Sequence, residues 1–156
     1  MGASLFTELC HEAGMTPRAH LISRQIVPAR DDERRFFLLG EDALLVYVQR
    51  IRTADEVPIY EENMFLPYDE FRGLMDVDFE DASFFDQIEK VSGRRPIRNV
   101  SLTLEAVAAS TNQATLLHVP KKSPLMYMNA KFVDASNVPV AIGRQYYVGS
   151  RYAFDV

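Results

Sequence analysis

Two arginines, Arg50 and Arg52, are the residues whose type and spacing best suit the binding of a ligand. Residues two apart on a β-strand point to the same face, with Cα atoms roughly 6–7 Å apart. Two guanidinium groups at that distance can both donate hydrogen bonds to a single phosphate or carboxylate. The alternative is a solvated strand face on which each arginine pairs with an acidic residue of the neighbouring strand. The pair therefore predicts either an anion site or an ordinary ion-paired strand.

Ser83 is a second candidate for anion binding. It stands directly before a helical pattern, and Asp86 occupies the third helical position in an arrangement that resembles a capping box. A hydroxyl at a helix start, together with the first backbone N–H groups, can hold an anion. Plain helix capping is the commoner role of such a serine, and both interpretations stay open at this point.

Motifs of catalytic sites are missing from the sequence. It contains no nucleophile elbow, no phosphate-binding P-loop, no dinucleotide fingerprint and no zinc-protease helix. The neighbouring acids Glu61 and Glu62 cannot act as a pair, because adjacent residues on a strand point to opposite faces. We therefore expect no catalytic residue.

Metal and cofactor sites are also not indicated. The single cysteine, Cys10, excludes an internal disulfide and a thiolate metal site, and it is expected to pack half-buried on a helix. The histidines have no spacing typical of metal ligands. They are His11, His20 and His118. We expect neither a metal nor a cofactor.

Size and charge are those of one soluble domain covering residues 1–156. The chain is 47% hydrophobic and 25% charged, with a net charge of −5 and no concentrated basic excess for binding DNA. The nearest basic cluster, residues 94–98, is interpreted as a solvated loop. No apolar run is long enough to cross a membrane, and no signal peptide is recognisable. We expect a cytoplasmic domain with no membrane partner.

Hydrophobic periodicity predicts short helices and longer strands. One helix is expected to begin at Ser4 as its N-cap and to end near Gly14, a second to follow Ser83, and a third to follow a capping box of Ser110 and Gln113. Residues 28–39 predict a turn or short helix, and residues 68–81 an acidic loop. The strand patterns cover residues 18–27, 44–53, 57–66, 97–108, 124–134 and 139–147, with hairpin turns at 54–56 and 135–137.

The strand at 97–108 alternates cleanly. Its apolar side chains predict a core face, and its polar side chains predict a face towards water or a ligand. The apolar set is Val100, Leu102, Leu104 and Ala106, and the polar set is Asn99, Ser101, Thr103 and Glu105. Hairpins mixed with short helices, without β-α-β alternation, favour an antiparallel α+β fold. No internal repeat is detected.

The order of several segments resembles the UTRA effector-sensing domain of the HutC subfamily of GntR-type regulators. The resemblance extends over almost the whole chain, from Phe6-Thr7-Glu8 to Phe154. Each segment alone is weakly specific, but together and in order they are distinctive. The segments are Arg50-Ile-Arg52, Ala54-Asp55-Glu56-Val57-Pro58-Ile59, Glu62, Phe65-Leu66-Pro67, Ser83-Phe84-Phe85-Asp86 and the stretch 146–154.

The resemblance implies a fold like that of chorismate lyase, with an antiparallel sheet and flanking helices. It also implies a homodimer that senses a small anionic metabolite, such as a sugar phosphate, and controls DNA binding allosterically. The DNA-binding part would be an N-terminal winged-helix domain that is absent from this chain. Repression relieved by the ligand is the commoner arrangement in such regulators.

The resemblance also implies a set of ligand-binding residues. In the phosphate-sensing members, two strand arginines, a hydroxyl of the first helix and the helix-start serine hold the anion. A carboxylate accepts hydrogen bonds from ligand hydroxyls, and aromatic side chains form apolar walls. The anion positions are Arg50, Arg52, Thr7 and Ser83, and the remaining pocket positions are Phe6, Glu62, Phe85 and Tyr147.

Two positions depart from the family pattern. Phe85 stands where many relatives have tyrosine, and Ala141 stands where a carboxylate is common. Both changes remove polar groups from the part of the pocket that would determine specificity. Arg98 and Arg144 are expected to form surface salt bridges, with a contact to the ligand or to its pocket residues as the alternative. Two other functions remain open, namely a chorismate lyase-like enzyme and a dimerisation module whose pocket is degenerate.

Overall fold

The computed structural model describes residues 2–154, with the side chains of residues 5–154. Its strands form one antiparallel sheet of six strands in the order β1-β2-β3-β6-β5-β4. The strands are β1 (Pro17–Pro28), β2 (Leu44–Ala54), β3 (Val57–Pro67), β4 (Arg98–Ala108), β5 (Pro124–Val133) and β6 (Pro139–Val148). The helices are α1 (Gly2–Glu12), α2 (Asp31–Phe37), α3 (Tyr68–Phe71), α4 (Phe84–Ser92) and α5 (Thr111–Leu117), with a 3₁₀ helix at Arg72–Asp76. The predicted antiparallel α+β fold is confirmed.

The architecture consists of one unit used twice. Each half is a strand, a short helix and a hairpin, namely β1-α2-β2-β3 and β4-α5-β5-β6. The halves meet where β3 pairs with β6 in antiparallel register, so they are arranged about an approximate twofold axis. The expectation of no internal repeat was therefore wrong for the backbone. The repeat is not visible in the sequence, because equivalent helix N-caps are built from different residues. These are Arg30 with Glu33 in α2 and Ser110 with Gln113 in α5.

Both faces of the sheet are covered. On the first face, Phe84 and Ile88 of α4 pack on β2 and β3, and Phe6 and Cys10 of α1 pack on Tyr60. On the second face, α2 and α5 supply the buried apolar side chains. A strand between two layers has side chains of both faces in contact with protein, which is how the arginines of β2 become buried.

Two element boundaries differ from the predictions. Helix α1 begins at Gly2, upstream of the expected N-cap Ser4, whose side chain lies outside the described residues. The segment 68–81 is not a plain loop, because it contains α3 and the 3₁₀ helix. Its fully buried Phe71, Leu74 and Phe79 anchor it on the sheet at irregular intervals, so it shows no periodicity that sequence reasoning could recognise.

Strand β4 lies at an edge of the sheet and does not bury its apolar face. Leu102 and Leu104 remain 50% and 42% exposed. A bulge between Asn99 and Ser101 also breaks the predicted alternation, because it brings Asn99 opposite Phe132, on the face of Leu102. The expected core face of this strand is therefore open to solvent in this chain.

Candidate functional site

Arg52 is a buried cation with weak hydrogen bonds. Its side chain projects from β2 under α1, and the residue is only 6% exposed. Its nitrogens lie 3.3 Å from the carbonyl oxygen of Arg18, 3.3 Å from Oη of Tyr60 and 3.5 Å from Oγ1 of Thr7. The nearest carboxylate oxygen, on Glu62, is 3.9 Å away. Charge-assisted hydrogen bonds normally measure about 2.7–2.9 Å, so this guanidinium retains unused donor capacity.

The guanidinium stays protonated in this environment. Burial is the largest single influence and lowers the pKa of Arg52, but the surrounding acidic groups, with Tyr60 and Glu62 first among them, together outweigh it, so that the net shift of the pKa is upward. The face of the group lies 5.0 Å from the ring centre of Phe6. A buried charge is costly unless it is paired, and an anion brought to Arg52 would reduce that cost.

A polar cavity of about 400 Å³ opens beside Arg52. Ser83 is the N-cap of α4, as predicted, but its hydroxyl accepts from the N–H of Asp86 at a long 3.4 Å. Ser83 also hydrogen-bonds the Asp86 carboxylate and helps to lower its pKa, so an anion at this cavity wall would share the positive end of the helix with Asp86. The residues that line the cavity are Thr7, Glu8, Arg52, Asp81, Ala82, Ser83, Asp86 and Arg95.

Two of the cavity's carboxylates are already neutralised. Asp86 lies 2.6 Å from Arg95, whose hydrogen bond lowers the pKa of Asp86. Asp81 lies 3.0 Å from Arg18, and that hydrogen bond, helped by one from the N–H of Ala19, lowers the pKa of Asp81. Within each of these two ion pairs the opposite charges cancel. Arg52 is therefore the cation lining this cavity with the fewest close partners.

Arg50 occupies a different environment although it shares the face of Arg52. It is 0% exposed and does not line the cavity. Its Nε donates to Glu62 at 2.7 Å, and Nη1 donates to the carbonyl oxygens of Phe79 and Ala82 at 2.9 and 2.7 Å. Nη2 is buried without an acceptor among the described residues. Arg50 is thus held behind the cavity wall, where it ties the loop before Ser83 to the sheet.

Glu62 and Phe6 are also placed behind the walls. Glu62 lies opposite Arg50 in the β2–β3 register and is 2% exposed, so its oxygens face the two arginines and not a ligand hydroxyl. Phe6 packs edge-to-face on Tyr60, with ring centres 5.2 Å apart. The ion-paired strand considered from sequence is therefore present at Arg50, although it is buried and not solvated.

A second, apolar cavity of about 530 Å³ adjoins the polar one. Phe85 and Tyr147, the remaining ligand-binding residues expected from the sequence, line this cavity. Glu8 lines both cavities. Most of its wall was not predicted, although the alternate positions 128, 130 and 132 of β5 share a face. Its lining residues are Leu5, Glu8, Phe85, Ile97, Arg98, Asn99, Leu102, Met128, Ala130, Phe132, Tyr147, Tyr152 and Phe154.

Other charged residues also differ from expectation. Arg144 is not at the surface: it is 7% exposed on the opposite face of the sheet, paired with Glu33 at 2.6 Å and Asp32 at 3.1 Å. Arg98 donates to the neutral amide of Asn137, and no ion pair to it is found within residues 5–154. Arg95, interpreted from sequence as part of a solvated loop, reaches the polar cavity because it pairs with α4.

Comparison with known proteins places this fold in a family. The UTRA domain model matches residues 12–153. This chain belongs to the UTRA domain family. Curated relatives of this UTRA domain are the HTH-type transcriptional repressor NagR of Bacillus subtilis, 26% identical over 153 residues, and the HTH-type transcriptional repressor PhnF of Mycolicibacterium smegmatis, 26% identical over 156 residues.

The chain covers part of each relative. The alignments include 98% and 99% of this chain but 62% of each repressor, so the chain spans about three fifths of their length. Among solved structures, PhnF from Mycobacterium smegmatis matches with a TM-score of 0.88 at 24% identity, over 96% of this chain and 66% of that one. Its effector domain alone matches with a TM-score of 0.86 at 23% identity, over 96% of this chain and 91% of that one. The fold of this UTRA domain is therefore that of regulator effector domains.

The described residues contain neither a cluster of metal ligands nor a membrane-spanning helix. Across residues 5–154, no three histidine, cysteine or acidic side chains are grouped as a metal site. No helix in the described part of the chain is long and apolar enough to cross a membrane.

Proposed function

We propose that this UTRA domain is the effector-sensing part of a homodimeric transcription regulator of the GntR type, HutC subfamily. It binds a small anionic metabolite, phosphorylated in the simplest case, in the polar cavity. Binding changes the DNA affinity of a winged-helix domain in the complete regulator, so that repression responds to the metabolite. The two HTH-type repressors among the relatives support a regulatory role.

The observation that carries this proposal is the state of Arg52. A protonated guanidinium, 6% exposed, lines a cavity beside a helix start, and its hydrogen bonds and ion pair measure 3.3–3.9 Å. A phosphate oxygen could approach it more closely than any of these partners. Thr7 and Ser83 line the same cavity, so their hydroxyls belong to the walls that the anion would contact.

Arg50 has a supporting role in this proposal. It fixes the carbonyl oxygens of Phe79 and Ala82, and through them the position of Ser83. Its Nη2 has no hydrogen-bond acceptor within the described part of the chain. If the anion displaced the segment before Ser83, Nη2 could donate to the anion, and ligand binding would then be coupled to the position of that segment. This coupling provides a route from the cavity to the rest of the domain.

The proposed dimer uses the edge strand β4. Its outer edge is open along its length, with apolar side chains 42–50% exposed at positions 100, 102 and 104. At the other edge of the sheet, the N–H groups of Ala19 and Leu21 in β1 are covered by the side chains of Asp81 and Glu80. An edge strand with unpaired backbone groups and exposed apolar side chains can pair with a second copy of the chain. Ligands that bind two arrangements of the dimer unequally would shift DNA affinity.

The test is a thermal-shift screen of the purified chain with phosphorylated sugars, phosphonates, carboxylates and inorganic phosphate. A ligand at 100 times its dissociation constant adds about 2.7 kcal/mol, or roughly 5–10 °C in Tm for a domain of this size. Arg52→Ala should abolish the shift. Arg35→Ala, an exposed arginine distant from the cavity lining, controls for the lost charge.

The outcomes are distinct. A shift that depends on Arg52 and not on Arg35 supports an anion sensor. No shift from any anion, with a folded and dimeric protein, would support the dimerisation module with a degenerate pocket instead. A shift that survives Arg52→Ala would place the anion elsewhere and refute the proposed site.

A further inference from the structure

We infer that the effector of this domain is an amphipathic anion, with an oxyanion head at Arg52 and an apolar alkyl or aryl body in the adjoining cavity. The inference rests on the proposed function and narrows the ligand to a class. It departs from the sugar phosphate that the family resemblance suggested.

The walls of the apolar cavity offer few partners to a hydroxylated body. Phe85 packs edge-to-face on Phe132, with ring centres 5.4 Å apart, so this wall presents carbon. The hydroxyl of Tyr147 donates to Oε1 of Gln145 at 2.7 Å. The polar lining residues Glu8, Arg98 and Asn99 are all exposed at the cavity rim, and Arg98 is hydrogen-bonded to Asn137.

Strand β6 contributes no polar group at the position where a carboxylate would stand in relatives. Ala141 is 0% exposed and lies opposite Phe132 in the β5–β6 register. A Cβ at Gly143, two residues along the same face, would lie 3.3 Å from Sδ of Met64 and from the ring of Phe132. This part of β6 is therefore filled mainly by thioether and aromatic groups, with the amide of Gln145 at 3.8 Å, and it leaves no room for a ligand group beside Ala141.

The two cavities are positioned to hold two ends of one molecule. Ser83 lines the polar cavity, and Phe85, two residues later at the start of α4, lines the apolar one. Glu8 of α1 borders both. With about 530 Å³ available, the apolar cavity has the volume of a small-molecule site. A ligand with its head at Arg52 would direct its body along α4 towards Phe85.

Binding strength should then increase with apolar length. Each methylene that is fully buried strengthens binding by up to about fourfold. A polyol of the same length would gain no such increment, because its hydroxyls would be desolvated without partners.

The experiment is isothermal titration of the purified chain with ethyl, butyl and hexyl phosphate, the matching carboxylates, glycerol phosphate, glucosamine 6-phosphate and inorganic phosphate. We expect affinity to rise severalfold at each step of one alkyl series and the sugar phosphate to bind no more tightly than inorganic phosphate. Met128→Gln, on the cavity wall, should reduce the gain per step while leaving inorganic phosphate unaffected. Met126→Gln is the matched control, because Met126 is partly buried on the same face of β5 but does not line the cavity.

Each alternative result has a separate meaning. Arg52-dependent binding of inorganic phosphate with no effect of alkyl length, or tighter binding of glucosamine 6-phosphate, overturns this inference and leaves the anion sensor intact. No binding of any probe overturns both. If Met128→Gln weakens the dimer measured by sedimentation and leaves hexyl phosphate binding unchanged, a second copy and not a ligand covers the cavity, and the inference is wrong.

Discussion

At the level of single residues, Arg50 and Arg52 show how environment separates two identical side chains. They lie two residues apart on one face of β2, yet one is tied by bonds of 2.7–2.9 Å and the other has only longer contacts. The difference originates in the partner strand, because Glu62 lies directly opposite Arg50. We therefore interpret Arg50 as a structural latch and Arg52 as the ligand anchor.

This assignment predicts different effects on stability. Arg50→Ala would leave the Glu62 carboxylate buried without its close partner and should lower the free energy of unfolding by about 3–5 kcal/mol. Arg52→Ala should cost less, because its contacts are longer. Urea unfolding of both variants measures the difference. An equal loss in the two variants would contradict the assignment.

Tyr47 predicts a pH dependence of stability. Burial, followed by the neighbouring Glu61 and Tyr146, raises the pKa of Tyr47 from 10.0 to about 12, and its hydroxyl donates to Asn63 at 2.5 Å. A folded-state pKa above the unfolded value stabilises the fold below pH 10, and that contribution is lost as the pH rises towards 12. Burial also raises the pKa values of Tyr60 and Tyr147, which act in the same direction.

The measurement is urea unfolding between pH 8 and pH 11.5. Tyr47→Phe should be less stable at pH 8, where it loses a hydrogen bond, and should lose less stability than the parent as the pH rises. Tyr68→Phe, in α3, controls for the removal of one phenol. An unchanged alkaline slope in Tyr47→Phe would show that the other tyrosines account for the whole effect.

At the level of elements, the segment 79–83 and helix α4 connect the cavity to the sheet. Arg50 holds the segment through two carbonyl oxygens, and Asp81 holds it through Arg18 and the N–H of Ala19. Asp81 has a positive φ of 56°, a conformation that aspartate and asparagine tolerate better than most residues. The start of α4 is thus set by contacts outside the helix, and its own cap contributes little.

Two serine caps should therefore respond differently to substitution. Ser83→Ala removes a 3.4 Å bond and should cost about 0.5 kcal/mol, while weakening phosphate binding. Ser110→Ala is the control: it removes a 3.1 Å bond from the complete capping box of α5 and should cost about 1 kcal/mol without affecting phosphate binding. Equal effects of the two variants on phosphate affinity would argue against Ser83 as a ligand residue.

At the level of the whole molecule, the two edges of the sheet are protected unequally. The side chains of Glu80 and Asp81 bind N–H groups along β1, whereas β4 is exposed along its length. The repeated unit would make the edges equivalent by itself. The segment between the halves, residues 68–97, breaks that equivalence because it covers the edge at β1 and leaves β4 open.

This asymmetry predicts that the proposed dimer forms its contact along β4. Leu104→Lys places a charge on the exposed face of β4, at a position that does not line the apolar cavity, and should convert the proposed dimer to monomer in sedimentation experiments. Ile26→Lys is the matched control, because Ile26 is 45% exposed on β1. A dimer that persists in Leu104→Lys but dissociates in Ile26→Lys would assign the contact to the opposite edge.

Local sequence was sufficient to predict most elements of this protein. The strand positions, the hairpin turns, the caps at Ser83 and Ser110 and the end of α1 near Gly14 depend on residues close in the chain, and the structure confirms them. The predicted alternation of β4 is the exception, because a bulge interrupts it. The grouping of Arg52, Thr7 and Ser83 came from the family resemblance together with strand spacing, and the structure does place all three at one cavity.

Long-range packing decided which of these residues remain accessible. The register of β2 against β3 buried Arg50 on Glu62, and the fold carried Arg144 to the opposite face, where helix α2 supplies its acidic partners. The apolar cavity draws its walls from segments up to 149 positions apart, between Leu5 and Phe154. Desolvation and pairing depend on neighbours distant in the chain, and periodicity reports only on neighbours that are near. For that reason the candidate site residues could be named from sequence, and the roles proposed for them, as anchor, latch and wall, depend on the tertiary structure alone.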